Sequence, residues 1–177
     1  VNREAALLKV MVSCAVEWDI LPHNPLQGLK SLREAEKREV DLTQDQAGSL
    51  LKMLPQAVAD IVEFAIYTGF RKENILSLKI EGIRFHDLQP TGEVDLIIKG
   101  GKRKNFLLNT PAVEVLRRVI GKRKKGFVFL NPQTGDRYWN INITFDKAVR
   151  RLGLTVQGTK FRFHNLRHVF ANWLHKQ

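Results

Sequence analysis

The sequence has little cysteine, no long apolar run and few acidic residues, and each shortage excludes a class of protein. Its single cysteine, Cys14, cannot form an internal disulfide, which agrees with a reducing compartment. No apolar run approaches the roughly 20 residues that span a bilayer, and no signal-peptide pattern opens the chain. Internal repeats and low-complexity tracts are also absent. With 44% hydrophobic residues, the 177 residues suffice for one substantial domain and a small extra piece.

The shortage of acidic residues is the most informative of the three. Lysine and arginine total 29 against 18 acidic residues, which gives a net charge of +11 and a pI near 10.0. Such an excess indicates a polyanionic partner, most often nucleic acid. A membrane surface fits less well, because no basic run lies beside a strongly apolar helix face. The basic residues cluster as GGKRK (100–104), RR (117–118), GKRKKG (121–126) and RR (150–151).

Hydrophobic periodicity predicts an α+β fold, mainly α-helical, in two parts. One helix over residues 3–18 is followed by the proline-containing segment DILPHNPLQG and by a charged linker over residues 29–41. The second part, residues 42–177, carries a small three-stranded antiparallel sheet, with a hairpin at Gly100-Gly101 and a third strand at FVFL (127–130). Thr110 is predicted as a helix N-cap. The helices of the second part are predicted over residues 44–54, 56–68, 71–78, 111–120, 141–152 and from 164 onward.

The stretch AIYTGFRKENILSLK (65–79) is the first candidate for chemistry. A helix ends near Gly69, the chain turns, and Arg71 stands where the next helix begins. An arginine beside the free backbone N–H groups of a helix start suits an anion. The alternative is an ordinary surface arginine that pairs with Glu73 or a neighbouring carboxylate.

The hairpin IIKGGKRKNFLL (97–108) is the second candidate. It places Lys99, Lys102, Arg103 and Lys104 near a tight tip that could reach a phosphate or a leaving oxygen. Lysine-rich hairpin tips also occur for solubility alone, so this motif is weak by itself.

The closing stretch KFRFHNLRHVFANWLHKQ (160–177) is the third candidate. His164 and Arg167 are three apart and so share one helix face, which suits a phosphate or an oxyanion. His164 and His168 also have the spacing of a zinc-binding pair, but the Glu of H-E-x-x-H and further ligands are missing. A purely structural role for His164 at the helix start is the other alternative.

Taken in this order, the three motifs resemble the catalytic domain of tyrosine recombinases, the phage-integrase family. Residues 1–28 look like the C-terminal helix of that family's N-terminal, SAM-like core-binding domain. The resemblance implies that residues 42–177 are the catalytic domain, incomplete at its C-terminus, behind a linker at 29–41. It also implies double-stranded DNA as the partner, a homotetramer on DNA in the complete protein, and the cytoplasm of a bacterial or phage-infected cell.

The resemblance implies strand breakage and rejoining through a 3′-phosphotyrosyl link, without a metal or a cofactor. Arg71 and Arg167 match the two signature arginines that hold the non-bridging phosphate oxygens. Lys99, or Lys102 if the register differs by three, matches the lysine that protonates the leaving 5′-oxygen. His164 matches the histidine that acts as an acid, a base or an orienting group.

The sequence departs from the family pattern at two points. Asn74 stands where the family often has an acid three residues after the first arginine. The only tyrosines, Tyr67 and Tyr138, precede the H-x-x-R motif, so the chain is expected to stop before the nucleophile. These residues are therefore expected to bind DNA weakly, with strong salt dependence, and to form no covalent adduct.

Two other functions fit parts of the sequence. A non-catalytic DNA-binding module derived from an integrase would carry the same motifs without a nucleophile. An RNA-binding protein would explain the positive charge. It would not explain the order of the two arginine motifs, and the sequence has no aromatic platform of the RRM type.

Overall fold

A computed structural model describes residues 2–32, 42–97, 100–156 and 158–175. The chain divides into two compact units, 1–37 and 38–177. The first unit contains helix α1 (Asn2–Glu17), which buries none of its residues fully. Asn24 holds the chain after the helix, because its side-chain amide donates to the Ser13 hydroxyl at 2.8 Å. The predicted linker lies largely outside the described residues, so its extent stays a prediction.

The second unit is mainly helical, as predicted, and carries a small antiparallel sheet. Its helices are α2 (Gln44–Met53), α3 (Gln56–Thr68), α4 (Lys72–Leu76), α5 (Thr110–Ile120), α6 (Asn142–Arg151) and α7 (Asn165–His175). Its strands are β1 (Ile83–Phe85), β2 (Gly92–Ile97), β3 (Arg103–Leu108), β4 (Thr155–Val156) and β5 (Thr159–Lys160).

Helix α3 forms the centre of this unit. Eight of its thirteen residues are buried, and α2, α5 and α7 pack against it. Thr43 and Gln46 form the predicted capping box at the start of α2, each bonding the other's backbone N–H. Gly69 ends α3 in the left-handed conformation, at φ 61°, as the sequence indicates.

The sheet has three strands in the order β1-β2-β3, all antiparallel. The hairpin between β2 and β3 is confirmed, but the third strand is β1 and not the predicted segment 127–130. That segment makes only isolated bridges, between Lys79 and Phe127 and between Leu130 and Arg137. Val128 and Phe129 are nevertheless buried, so its apolar run reflects core packing rather than strand pairing. The two-residue pair β4–β5 was not predicted.

The N-cap of α5 is Asn109 and not the predicted Thr110. The Asn109 side-chain oxygen accepts from the Ala112 N–H at 3.1 Å, while Thr110 is already helical. Asn and Thr both cap helices well. The helix therefore begins one residue earlier than predicted.

Two arginines of the predicted basic clusters serve the fold. Arg123 donates to three backbone carbonyls near the end of α5, at 2.7–2.9 Å. Arg118 pairs with Asp60 at 2.8 Å and also with Glu63. A charged partner is needed here because Asp60 is buried in α3. The charge available for a polyanion is therefore smaller than the sequence count suggests.

Candidate active site

The structure brings Arg71, His164 and Arg167 to one cleft of about 340 Å³. The corner between α3 and α4 supplies Arg71, and the loop that leads into α7, with its first turn, supplies His164 and Arg167. The start of α6 and strand β5 form the other walls. Two motifs that are far apart in sequence therefore meet at one surface.

A hydrogen bond from a side chain to the backbone connects the two arginine motifs. The Arg167 Nη1 atom donates to the Gly69 carbonyl at 2.9 Å. Gly69 is the residue that ends α3, and Arg71 follows two positions later. The same corner therefore anchors one arginine and presents the other.

Arg71 is exposed, and it has no ion-pair partner within the described part of the chain. The alternative that Arg71 pairs with Glu73 is wrong, since Glu73 lies 3.7 Å from the Lys72 ammonium instead. Lys72 also donates to the Asn142 side chain at 3.0 Å, which links α4 to the start of α6. The Arg71 guanidinium is thus free to bind an anion. Asn74 lines a different cleft.

His164 lies beside this positive charge, and its pKa is lowered below the usual imidazole value. Partial burial is the largest cause, followed by the repulsion of His168, Arg167 and Arg71. The His164 and His168 rings lie edge to face, with centroids 5.4 Å apart. A lowered pKa keeps His164 neutral at neutral pH, so its ring nitrogen can accept a proton or a hydrogen bond.

The pKa of His164 is expected to rise in Arg71→Ala, because one of the repelling charges is removed. Proton NMR titration of the His164 ring measures this pKa. Lys52→Ala is the control, because Lys52 is exposed and lines no described cleft. The lowered pKa in the folded protein also means that stability is lost as the pH falls through the imidazole range. An unchanged His164 pKa in Arg71→Ala would show that the two groups do not interact.

Sequence reasoning missed most of the other polar groups in the cleft. Lys160 pairs with Asp146, the one carboxylate in the described lining. The Arg162 N–H donates to the Asn165 side chain at 2.6 Å, which fixes the backbone before α7. The cations of the lining are Arg71, Lys72, Lys160, Arg162 and Arg167. This excess of positive charge suits a phosphate diester.

The described hairpin lysines, Lys102 and Lys104, do not line the cleft. Lys99 lies outside the described residues, so its assignment stays a prediction. Lys102 is exposed and immediately precedes β3. The last described pair of the β2–β3 ladder is Ile97 and Arg103, so Lys102 lies on the tip side of this pair, as the sequence predicts.

Neither tyrosine lines the cleft. Tyr67 is half-buried at a separate groove between α2, α3 and α7, and its pKa is raised by burial and by Glu63 and Glu114. Tyr138 is half-buried against the core, and burial raises its pKa as well. A raised pKa makes the nucleophilic phenolate scarcer. Both tyrosines are therefore poorly placed to attack a phosphate held by Arg71 and Arg167.

The described residues contain neither a metal site nor a membrane-spanning helix. No group of three His, Cys, Asp or Glu side chains there is arranged to hold a metal ion. Among the helices described, none has both the length and the apolar character needed to cross a membrane.

Comparison with known proteins gives one family. The model of the phage integrase family matches residues 41–177. The integrase of Salmonella phage P22 is 29% identical over 174 residues, an alignment that covers 89% of this chain and 42% of the phage protein. The chain therefore spans less than half the length of that relative.

Solved structures of lambda integrase have the same fold. A dimer of residues 75–356 bound to a COC′ core site superposes with a TM-score of 0.75 at 18% identity, covering 99% of this chain and 66% of that one. A lambda integrase tetramer bound to a Holliday junction also gives a TM-score of 0.75 at 18% identity, covering 99% of this chain and 54% of that one.

Proposed function

Because the chain belongs to the phage integrase family, we propose that it is the strand-breaking part of a tyrosine-type site-specific DNA recombinase. The observation that carries the proposal is the meeting of Arg71, His164 and Arg167 in one cationic cleft. Residues 42–177 would form the catalytic domain. Residues 1–28 would be the C-terminal helix of a core-binding domain, joined to it by a linker at 29–41.

The cleft suits the phosphate at which a DNA strand is broken. Arg71 and Arg167 would bind the two non-bridging oxygens, whose negative charge grows as a fifth oxygen approaches phosphorus. The bond between Arg167 and the Gly69 carbonyl fixes one guanidinium before substrate arrives. Preorganised charge of this kind costs no rearrangement during the reaction.

The reaction would form one phosphorus–oxygen bond and break another. A tyrosine oxygen attacks phosphorus, the 3′-phosphotyrosyl link forms, and the 5′-oxygen leaves with a proton. Lys99, or Lys102 in the alternative register, would supply that proton. His164, neutral at neutral pH, would accept the tyrosine proton or orient the phosphate. Attack by the freed 5′-hydroxyl reverses these steps and rejoins the strands.

The partner would be double-stranded DNA, and the complete recombinase would act as a homotetramer. The positive cleft supports a phosphate-rich ligand. The lambda integrase tetramer on a Holliday junction supports the assembly, through the shared fold.

A second candidate, a DNA-binding module without strand-cleaving activity, is favoured by one observation. Neither Tyr67 nor Tyr138 lines the cleft with the arginines. The two candidates differ in a covalent product. A phosphotyrosyl adduct on a nicked DNA substrate identifies the recombinase, whereas salt-dependent binding without an adduct in the gene's full product identifies the module.

DNA binding by this chain is expected to weaken steeply with salt, because cations in the cleft displace counterions from phosphates. Arg71→Ala and Arg167→Ala are each expected to reduce affinity about 5- to 100-fold and the salt slope by about 1. Fluorescence anisotropy with a labelled duplex between about 50 and 200 mM salt measures both quantities.

Lys52→Ala is the matched control, since it removes one exposed charge that lines none of the described clefts. Its salt slope is expected to stay close to that of the unaltered chain. If Lys52→Ala and Arg71→Ala weaken binding equally, the cleft is not the DNA site.

A further inference from the structure

A second cleft, of about 800 Å³, lies beside the candidate active site and carries an exposed tryptophan. We propose that this cleft binds an unstacked nucleobase of the DNA strand, with Trp139 as the stacking surface. The inference rests on the proposed function, because it assumes that DNA occupies the neighbouring active site.

Trp139 is held in place although it is exposed. Its side chain is 71% accessible. The Arg137 guanidinium lies 3.8 Å from the Trp139 ring centroid and 5.4 Å from that of Phe127, so it stacks between the loop's aromatic rings. Arg137 is fixed in turn by its backbone bridge to Leu130. A large aromatic surface held rigid and open to solvent is suited to stacking on a planar partner.

The remaining lining of this cleft suits a base better than a phosphate. Its lining carries equal numbers of cations and carboxylates, namely Lys79, Arg103 and Arg137 against Glu81, Asp95 and Asp136. Asp95 is already bound by Arg84 at 2.9 Å. Asn74 and Ser77 add an amide and a hydroxyl. Neutral donors and acceptors around an aromatic ring can bind the edge of a nucleobase, whereas a phosphate needs a net positive charge.

The two clefts have different lining residues, but helix α4 contributes to both and so connects them. Helix α4 supplies Lys72 to the active site and Asn74 to the second cleft. Trp139 precedes Asn142 by three residues, and Asn142 binds Lys72 at 3.0 Å. Strand exchange must separate bases beside the break from their old partners before they pair anew. An unstacked base is therefore available next to the active site during the reaction.

Trp139→Ala is expected to weaken binding to a duplex with a short unpaired bubble about 10-fold, a typical loss for one stacked base. Binding to the fully paired duplex should change less than twofold. The salt slope should not change, because the substitution removes no charge. Fluorescence anisotropy with the two DNAs in parallel gives all three results. Trp139→Phe keeps an aromatic face, so it should recover most of the affinity for the bubble DNA.

Leu88→Ala is the control, since Leu88 is 99% exposed, lies in the second unit and lines none of the described clefts. It should bind both DNAs as the unaltered chain does. Equal loss on both DNAs in Trp139→Ala, or no loss on either, overturns the inference. Arg71→Ala tests the proposed function separately. If Arg71→Ala leaves the salt slope of DNA binding unchanged, the proposed function fails, whatever the result for Trp139→Ala.

Intrinsic fluorescence gives a readout that does not depend on affinity. Stacking of a base on Trp139 quenches its emission, so bubble DNA should quench the chain more strongly than paired DNA does. That difference should persist in Trp18→Phe and disappear in Trp139→Phe. Persistence of the difference in Trp139→Phe would contradict stacking at this position.

Discussion

Arg167→Ala is expected to lower the rate of DNA strand cleavage about 1,000-fold, while DNA affinity falls far less. Removal of a single preorganised donor from a developing oxyanion typically costs about 100- to 1,000-fold in rate. The loss of rate for Arg167→Ala should lie at the upper end of this range. Arg167 carries a full charge, and its guanidinium is already fixed by the Gly69 carbonyl at 2.9 Å. The loss should therefore appear in the chemical step.

The measurement follows phosphotyrosyl formation on a nicked duplex, in a version of the protein that carries a tyrosine nucleophile. Arg167→Lys is the informative companion, since it keeps the charge and loses the planar fork that binds two oxygens. We expect it to cleave faster than Arg167→Ala and much slower than the unaltered protein. Equal cleavage by Arg167→Ala and the unaltered protein would remove Arg167 from the mechanism.

The same experiment tests the two tyrosines of this chain. Peptide mapping of the adduct should locate it at neither Tyr67 nor Tyr138, which are half-buried and lie outside the cleft lining. An adduct mapped to either residue would contradict the geometry described here. It would also require a rearrangement that carries that phenol to Arg71 and Arg167.

Local sequence signals predicted the frame of the site. The Thr43–Gln46 capping box and the Gly69 helix end are decided by bonds within a few residues, so both could be read directly. The positions of Arg71 and Arg167 near helix starts could be predicted, because the sequence pattern indicates where each of these helices begins. Their meeting in one cleft followed only from the family resemblance.

Long-range contacts account for what the sequence did not predict. Lys72 binds Asn142, seventy residues away, and no local pattern indicates that pair. Arg118 looked like part of a DNA-binding cluster, but its partner Asp60 lies 58 residues earlier on α3. Segment 127–130 has the composition of a strand, and tertiary packing buries it without a continuous ladder.

Gly69→Ala is expected to destabilise the protein by about 2–5 kcal/mol, because two costs add at this position. The residue has φ +61°, where a side chain costs about 1–2 kcal/mol. An added Cβ would also stand 2.5 Å from Phe170 Cδ1 and 3.1 Å from Cγ, a clash that typically costs about 1–3 kcal/mol. Urea unfolding at equilibrium measures the sum.

Gly153→Ala separates these two costs. Gly153 has nearly the same φ, +62°, and nothing lies within 4 Å of its Cβ position. Its substitution should therefore cost only the conformational part, about 1–2 kcal/mol. Equal destabilisation by Gly69→Ala and Gly153→Ala would mean that Phe170 moves aside without cost.

The double variant Gly69→Ala/Phe170→Ala tests the clash directly. Truncation of Phe170 removes the obstructing ring, so Gly69→Ala should cost less in the Phe170→Ala background than alone, by about 1–3 kcal/mol. If the cost is the same in both backgrounds, the close approach of Phe170 is not its cause.

Gly69→Ala should also weaken DNA binding among molecules that remain folded, since Gly69 supplies the carbonyl that holds Arg167. Normal binding by folded Gly69→Ala would show that the Arg167 position does not depend on this corner.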